Sequence, residues 1–253
     1  MCVCLTLFVV WSRRVALFDT FKRAPWMYLG LGFFGTTVGT TMLYAAIDQL
    51  SLSVASIVGK LQPVFVLIMA YIFLKERLTR AEIILSILAI LGACLVAIPN
   101  PLAIFETAHA TVFGLLAALA SSLGWAISGV FGKRLSMMAN PPSASQLTFF
   151  RYFIGSTLVM PVVDFGEYST TVSEWPYAAP FLPTVLVLAF LTVTVPTWAF
   201  YKGLKHVSVS YASILELSTP VTGVVLGFVF LGDRLNLTQI VGVAFVLLPV
   251  IIL

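Results

Sequence analysis

The sequence predicts an all-α, polytopic membrane protein built from two inverted copies of one helical unit. Three observations carry that expectation: the composition, the spacing of long apolar runs, and an internal repeat. Of 253 residues, 60% are hydrophobic and 9% charged. An ordinary soluble domain is about 45–50% apolar and about 25% charged. Mean hydropathy is +1.06. A soluble fold of this length has no interior large enough for so much apolar surface, whereas lipid accepts it.

The apolar runs come next. A bilayer core about 30 Å thick needs about 20 apolar residues in a helix. Eight stretches qualify, at roughly 26–47, 50–74, 81–98, 110–132, 146–163, 180–203, 207–231 and 237–253. An apolar stub, Met1–Trp11, precedes them and is too short to span. The runs are continuous and lack the alternation over ~10 residues that barrel strands show, so they read as helices. Charges gather between them. Counting spans places Arg13, Arg14, Lys22, Arg23, Lys75, Arg77, Arg80, Lys133, Arg134, Lys202 and Lys205 on one side. The opposite side receives Arg234 with Asp48, Glu106, Asp164, Glu167, Glu174 and Asp233. The positive-inside rule makes the basic side cytoplasmic, with the cell's plasma (inner) membrane as the expected location.

The repeat is the most informative feature. Tyr44–Leu78 and Tyr201–Leu235 align without a gap at an offset of 157. Identical pairs include Ser51/Ser208, Ser53/Ser210, Ser56/Ser213, Pro63/Pro220 and Arg77/Arg234. Shared hydrophobicity explains matched Ile and Leu, but not serines, prolines and arginines in register. The expected boundaries are 1–99 for the first copy, short at its N-terminus, and 108–253 for the second. An odd number of helices per copy turns the second upside down. The charges follow: Lys75-Glu-Arg-Leu-Thr-Arg80 is basic, and its equivalent Gly232-Asp-Arg-Leu-Asn-Leu237 is neutral. Inverted repeats around a midplane site are the architecture of secondary carriers that alternate access by rocking.

The pattern Ala55-Ser56, then Pro63-Val64, then Phe73-Leu-Lys-Glu-Arg-Leu-Thr79 recurs as Pro220-Val221 and Phe230-Leu-Gly-Asp-Arg-Leu235. It resembles the EamA repeat of the drug/metabolite transporter superfamily. Gly124-Trp125-Ala126, Gly132-Lys-Arg-Leu135 and Phe149-Phe-Arg-Tyr152 are similar to that family's sixth and seventh helices. The resemblance implies a ten-helix bundle. Here eight full spans and a stub stand in for it, without the first helix and part of the second. It also implies transport of amino acids, nucleotide precursors, sugar conjugates or drugs. Leu231-Gly232 occupy the place where phosphate-translocating relatives carry Lys-Arg, so phosphorylated substrates fit less well.

Two charges lie deep inside spans. Lys60 is about ten residues into its run, ~15 Å at 1.5 Å per residue, and Glu216 is at similar depth in the repeat-equivalent run. Intramembrane charges are costly and face a bundle interior or cavity. Either they form a central site, Lys60 for an anionic group and Glu216 for a proton or amine, or they pair and only tie the halves together. Gln62, Ser56 and Ser213 on the same helices, with Ser218 and Thr219, either bond substrate, or form interhelical hydrogen bonds or cap backbone carbonyls freed by the helix-breaking Pro63 and Pro220. Tyr211, Trp125, Tyr44 and Tyr201 either line a cavity or pack. Arg151 reads as a snorkelling residue. Cys2, Cys4 and Cys94 read as small hydrophobes. No metal-ligand spacing, cofactor motif or catalytic set stands inside the spans. The expected function is therefore a secondary active transporter of a small organic metabolite, exporting more than importing, with proton coupling as a further expectation. The alternatives are a truncated, non-transporting remnant and an intramembrane enzyme. The expected partners are the lipid bilayer, a small-molecule substrate and protons, with a monomer or homodimer as the assembly and no nucleic acid.

Overall fold

In the computed structural model, residues 17–50, 52–77, 79–97, 111–162, 184, 187–232 and 236–252 are described. The stub at 1–11, residues 99–101, and the acidic stretch from Asp164 to Glu174 lie outside them, as do Cys2, Cys4 and His109. No β-strand occurs among the described residues. The elements are α1 (Leu17–Arg23), α2 (Pro25–Gln49), α3 (Leu52–Gly59), α4 (Gln62–Met69), α5 (Arg80–Ala97) and α6 (Val112–Ser136). They continue with α7 (Ala144–Val159), α8 (Val195–Gly203), α9 (Val209–Glu216), α10 (Thr219–Leu226) and α11 (Leu237–Ile252). Among the described residues, four helical stretches are long and apolar enough to cross a bilayer: Pro25–Gln49, Ile57–Leu74, Val112–Ser136 and Val209–Phe230. Helices suit this solvent because each backbone N–H and C=O is satisfied within its own segment.

The described elements recur at the offset read from the sequence. α3, α4 and the π-helical segment Ala70–Leu74 are followed, 157 residues on, by α9, α10 and the π-helical segment Gly227–Leu231. A further π segment, Phe33–Val38 within α2, has its counterpart in Phe190–Thr194, which leads into α8. Among the described residues, Lys75 and Gly232, also 157 apart, are the two with left-handed backbone, at φ 57° and φ 73°. Each ends its helix with the αL cap that stops a helix cleanly. α5 and α11 then start at equivalent positions behind equivalent boxes. Thr79 N–H donates to Glu82 Oε2 at 2.6 Å and Glu82 N–H to Thr79 Oγ1 at 3.2 Å. Asn236 N–H donates to Gln239 Oε1 at 3.2 Å and Gln239 N–H to Asn236 Oδ1 at 2.9 Å. Both pairs satisfy orphan donors of a first turn reciprocally.

The chain divides into two compact units, and each draws on both halves of the sequence. The first takes residues 1–37 and 131–206. Its helices approach closely through glycine: a Cβ on Gly32 of α2 would stand 2.7 Å from Ile154 Cβ of α7. Tyr28 and Phe150 meet in a tilted ring contact beside this crossing, with centroids 4.7 Å apart. Ser143 and Gln146 form a capping box that starts α7. Lys133 Nζ donates to the Leu204 carbonyl at 2.9 Å, placing a cation at the C-terminal end of α8.

The second unit takes residues 38–130 and 207–253. α5 and α11 meet backbone to backbone: a Cβ on Gly92 would lie 2.7 Å from the Gly242 carbonyl oxygen. Small residues at such crossings let dispersion replace the hydrophobic drive that lipid removes. Ala89, Ala93 and Val96 of α5, Ile214 of α9, Val221 of α10 and Val246 of α11 form one buried cluster. Ala46, Leu50, Ala55, Ala117 and Ala118 join α2, α3 and α6 in another.

Candidate functional site

The second unit contains two interrupted spans. α3 stops at Gly59, residues 60 and 61 form a turn, and α4 starts at Gln62 with Pro63 in its first turn. α9 stops at Glu216, residues 217 and 218 form a turn, and α10 starts at Thr219 with Pro220 in its first turn. Both turns close with i→i+3 bonds. Lys60 and Leu61 N–H donate to Ile57 and Val58 at 3.0 Å, and Leu217 and Ser218 N–H donate to Ile214 and Leu215 at 3.0 Å. Proline fixes φ and lacks the N–H that would bond the carbonyl four residues back. At Pro220 that carbonyl belongs to Glu216, and it accepts instead from Thr219 Oγ1 at 2.7 Å. Ser218 Oγ donates to Leu215 O at 2.6 Å, and Ser213 Oγ to Ser210 O at 2.7 Å. In this structure these hydroxyls bond helix backbone.

Two half-helix ends meet at the interruption. α4 packs against α9, and Gln62 Nε2 donates to Glu216 Oε2 at 3.0 Å. The carboxylate at the last residue of α9 thus faces the first residue of α4, whose N-terminus favours negative charge. Lys60 sits just past the C-terminal end of α3, where a cation is favoured. It is half-buried, and Cys94 of α5 and Glu216 are the ionisable groups near enough to act on its charge. A Cβ on Gly59 would meet nothing within 4 Å, so open space flanks the turn. From α6, Ser122 Oγ reaches the Val58 carbonyl at 3.4 Å, and Trp125 follows three residues later on that face. Tyr211 is half-buried on α9, and Ser213 is buried. The side chain of Ser56 lies outside the described residues. Lys60, Gln62 and Glu216 are therefore brought together around two backbone breaks.

Composition and spacing missed three features. Cys94, read as a small hydrophobe, neighbours Lys60. Glu76, just beyond the left-handed Lys75, accepts from Val209 N–H at 3.3 Å, Ser210 N–H at 3.4 Å and Ser210 Oγ at 2.7 Å. With Ser208 Oγ accepting from Tyr211 N–H at 3.1 Å, it caps the start of α9. The signal existed in the repeat, where Glu76 pairs with Asp233 and Ser210 with Ser53. The third feature is a correction. Arg151 does not simply snorkel: in the first unit its Nη1 donates to Tyr201 Oη at 3.1 Å and its Nη2 to the Gly35 carbonyl at 3.4 Å. Tyr201 is fully buried, so it bonds within that unit's interior, while Tyr44 is 64% exposed.

Comparison with known proteins adds the family. The model of the EamA-like transporter family matches residues 1–98 and again 112–253. An uncharacterised transporter of Archaeoglobus fulgidus is 28% identical over 235 residues, which cover 91% of this chain and 79% of the relative. A protein of Fusobacterium nucleatum named riboflavin transporter ImpX is 26% identical, covering 91% of this chain and 76% of its own. Protein PecM of Dickeya dadantii is 27% identical over 90% of this chain and 73% of its own. A solved crystal structure superposes with a TM-score of 0.77 at 18% identity, over 98% of this chain and 82% of that one, and so shares its fold. These helices span a lipid bilayer, and the chain belongs to the EamA-like transporter family.

Proposed function

We propose that this transporter is a secondary active exporter of a small organic metabolite, working by alternating access, with Lys60, Gln62 and Glu216 as its central polar site. One observation supports the reading: two half-helix breaks lie 157 residues apart, and Gln62 at one of them bonds Glu216 at the other. Unwound backbone and half-helix ends at such a depth are what secondary carriers use to hold polar solutes and coupling ions. In this reading the two sequence copies, 1–99 and 108–253, are inverted repeats, and the basic loops around Arg13, Arg14, Lys75, Lys133 and Arg134 face the cytoplasm of the plasma membrane. Glu216 is the proton-exchanging group. When it is charged, Gln62 and the α4 N-terminus hold it. When it is protonated, that hold loosens and the half-helices are freer to shift. Tyr211 and Trp125 contribute ring faces to the substrate, and Ser56 and Ser213 shape the backbone around it.

The test is flux in reconstituted vesicles under an imposed pH gradient. Riboflavin is a first solute to try because of the 26% identical relative named for it, followed by a metabolite-wide efflux screen. Glu216→Gln removes the titrating group but keeps a side chain that Gln62 can still bond. We expect proton-linked flux to fall to background while the variant elutes as a single folded species. Wild-type flux from that variant would remove the coupling role.

A further inference from the structure

Between α4, its π extension and α5, the second unit carries a groove of about 860 Å³. Its walls are aliphatic, with Ile68, Ile72, Ile83 and Ile87 beside Tyr71, and Arg77 lines it as its one cation. Tyr71 is 64% exposed and Ile87 54%, so the wall is open to the bilayer rather than closed by protein. The serine in the groove, Ser86, is already engaged through its hydroxyl with the Glu82 carbonyl at 2.6 Å. Groove chemistry is thus an apolar trough with one positive side chain.

The acids nearby do not neutralise that charge. Glu76 is turned onto the start of α9 through Ser210, and Glu82 is held by Thr79 through both its N–H and its hydroxyl. Arg77 itself makes no hydrogen bond or ion pair among the described residues. Lys75 and Arg80 flank it, both exposed. A guanidinium that no described acid engages, beside an acyl-shaped apolar trough, matches the two chemistries of one molecule, a phospholipid with an anionic headgroup. Guanidinium binds phosphate oxygens in a bidentate fork, and basic pockets between membrane helices recognise anionic headgroups. A second protein copy would have to bring its own carboxylate to Arg77 and a ridge to fill a concave wall. A phospholipid supplies both from the surrounding solvent.

We propose that this groove is a binding site for one anionic phospholipid, its acyl chain along Ile68, Ile72, Ile83 and Ile87 and its phosphate on Arg77. The site is separate from the Lys60–Glu216 centre and does not depend on transport. The full chain is reconstituted in phosphatidylcholine nanodiscs doped with a tail-photoactivatable lipid, either phosphatidylglycerol or phosphatidylcholine, and adducts are mapped by peptide mass spectrometry. Phosphatidylglycerol should label the 64–90 segment several-fold more than phosphatidylcholine does. Arg77→Gln should bring the two lipids to parity. Ile87→Trp, which fills the trough and keeps the charge, should lower labelling by both. Equal labelling in the unaltered protein, or a preference that survives Arg77→Gln, overturns the proposal. So does recovery of the groove residues in crosslinks between two copies of the chain.

Discussion

Residues 52–74 and 209–231 pass through the same succession of half-helix, two-residue turn, half-helix and π segment. Their side chains at the turn are unlike. The first span reads Gly59-Lys60-Leu61-Gln62, and the second reads Glu216-Leu217-Ser218-Thr219. The likeness comes from residues both spans keep. Pro63 and Pro220 each forbid one backbone bond, and Ile57 and Ile214 carbonyls each accept a shortened one. The difference teaches where chemistry resides. Backbone shape is duplicated, while cation, carboxylate and amide are each present in one copy only, so the centre is asymmetric within a symmetric frame. In the proposed function, a substrate held there would meet two different walls, which suits binding a polar molecule in one orientation.

The largest effect should come from removing one side of that asymmetry. Lys60→Ala leaves the Glu216 carboxylate without a cation at mid-span, whereas Lys60→Ala with Glu216→Ala leaves neither. Glu216 is exposed and Lys60 half-buried, so the cost is that of one charge left at membrane depth without its neighbour, and removing both charges costs less. Folded yield should therefore drop more for the single variant than for the double. If losses instead add, the two charges are energetically independent.

A middle-sized effect tests the frame rather than the centre. Glu76 accepts three bonds at the start of α9, and its equivalent in the other copy is the shorter Asp233. Glu76→Gln keeps size but turns charge-assisted bonds to backbone N–H into neutral ones. The loss should be about 1 kcal/mol, by analogy with N-cap substitutions. Hydrogen exchange should rise several-fold at residues 209–213 and stay unchanged at 80–85, whose cap is Thr79. Uniform faster exchange across both segments would mean that Glu76 supports global stability and not one helix start.

Much of this frame could be read from the sequence, because apolar runs and turn residues act locally. The apolar run at 110–132 becomes α6, Val112–Ser136, and the basic Lys133-Arg134 pair lies inside its last turn rather than after it. A cation is welcome there, near carbonyls without intrahelical partners. Lys60 and Glu216 stand out in sequence because charge at membrane depth is rare. Their neighbours do not. The nearness of Cys94 to Lys60 depends on how α5 packs, and no periodicity in a uniformly apolar helix reports which face turns inward. Arg151 misleads for the same reason. A position near a helix start suggests snorkelling, but the bond to Tyr201, fifty residues away, is a tertiary fact.

The smallest effect concerns the two left-handed residues that end the π segments. Lys75 holds φ 57° with a Cβ, while Gly232 holds φ 73° without one. For an L-residue the left-handed region costs about 1–2 kcal/mol, partly offset in a glycine variant by the greater backbone entropy glycine loses on folding, about 0.5–1 kcal/mol. Lys75→Gly should thus stabilise the protein by at most about 1 kcal/mol, read as a rise of a degree or two in detergent melting temperature. A Cβ at Gly232 would meet nothing within 4 Å, so Gly232→Lys tests conformation without a clash and should lower the melting temperature by a similar amount. If Lys75→Gly instead melts earlier, the ammonium contributes more than its strained backbone costs.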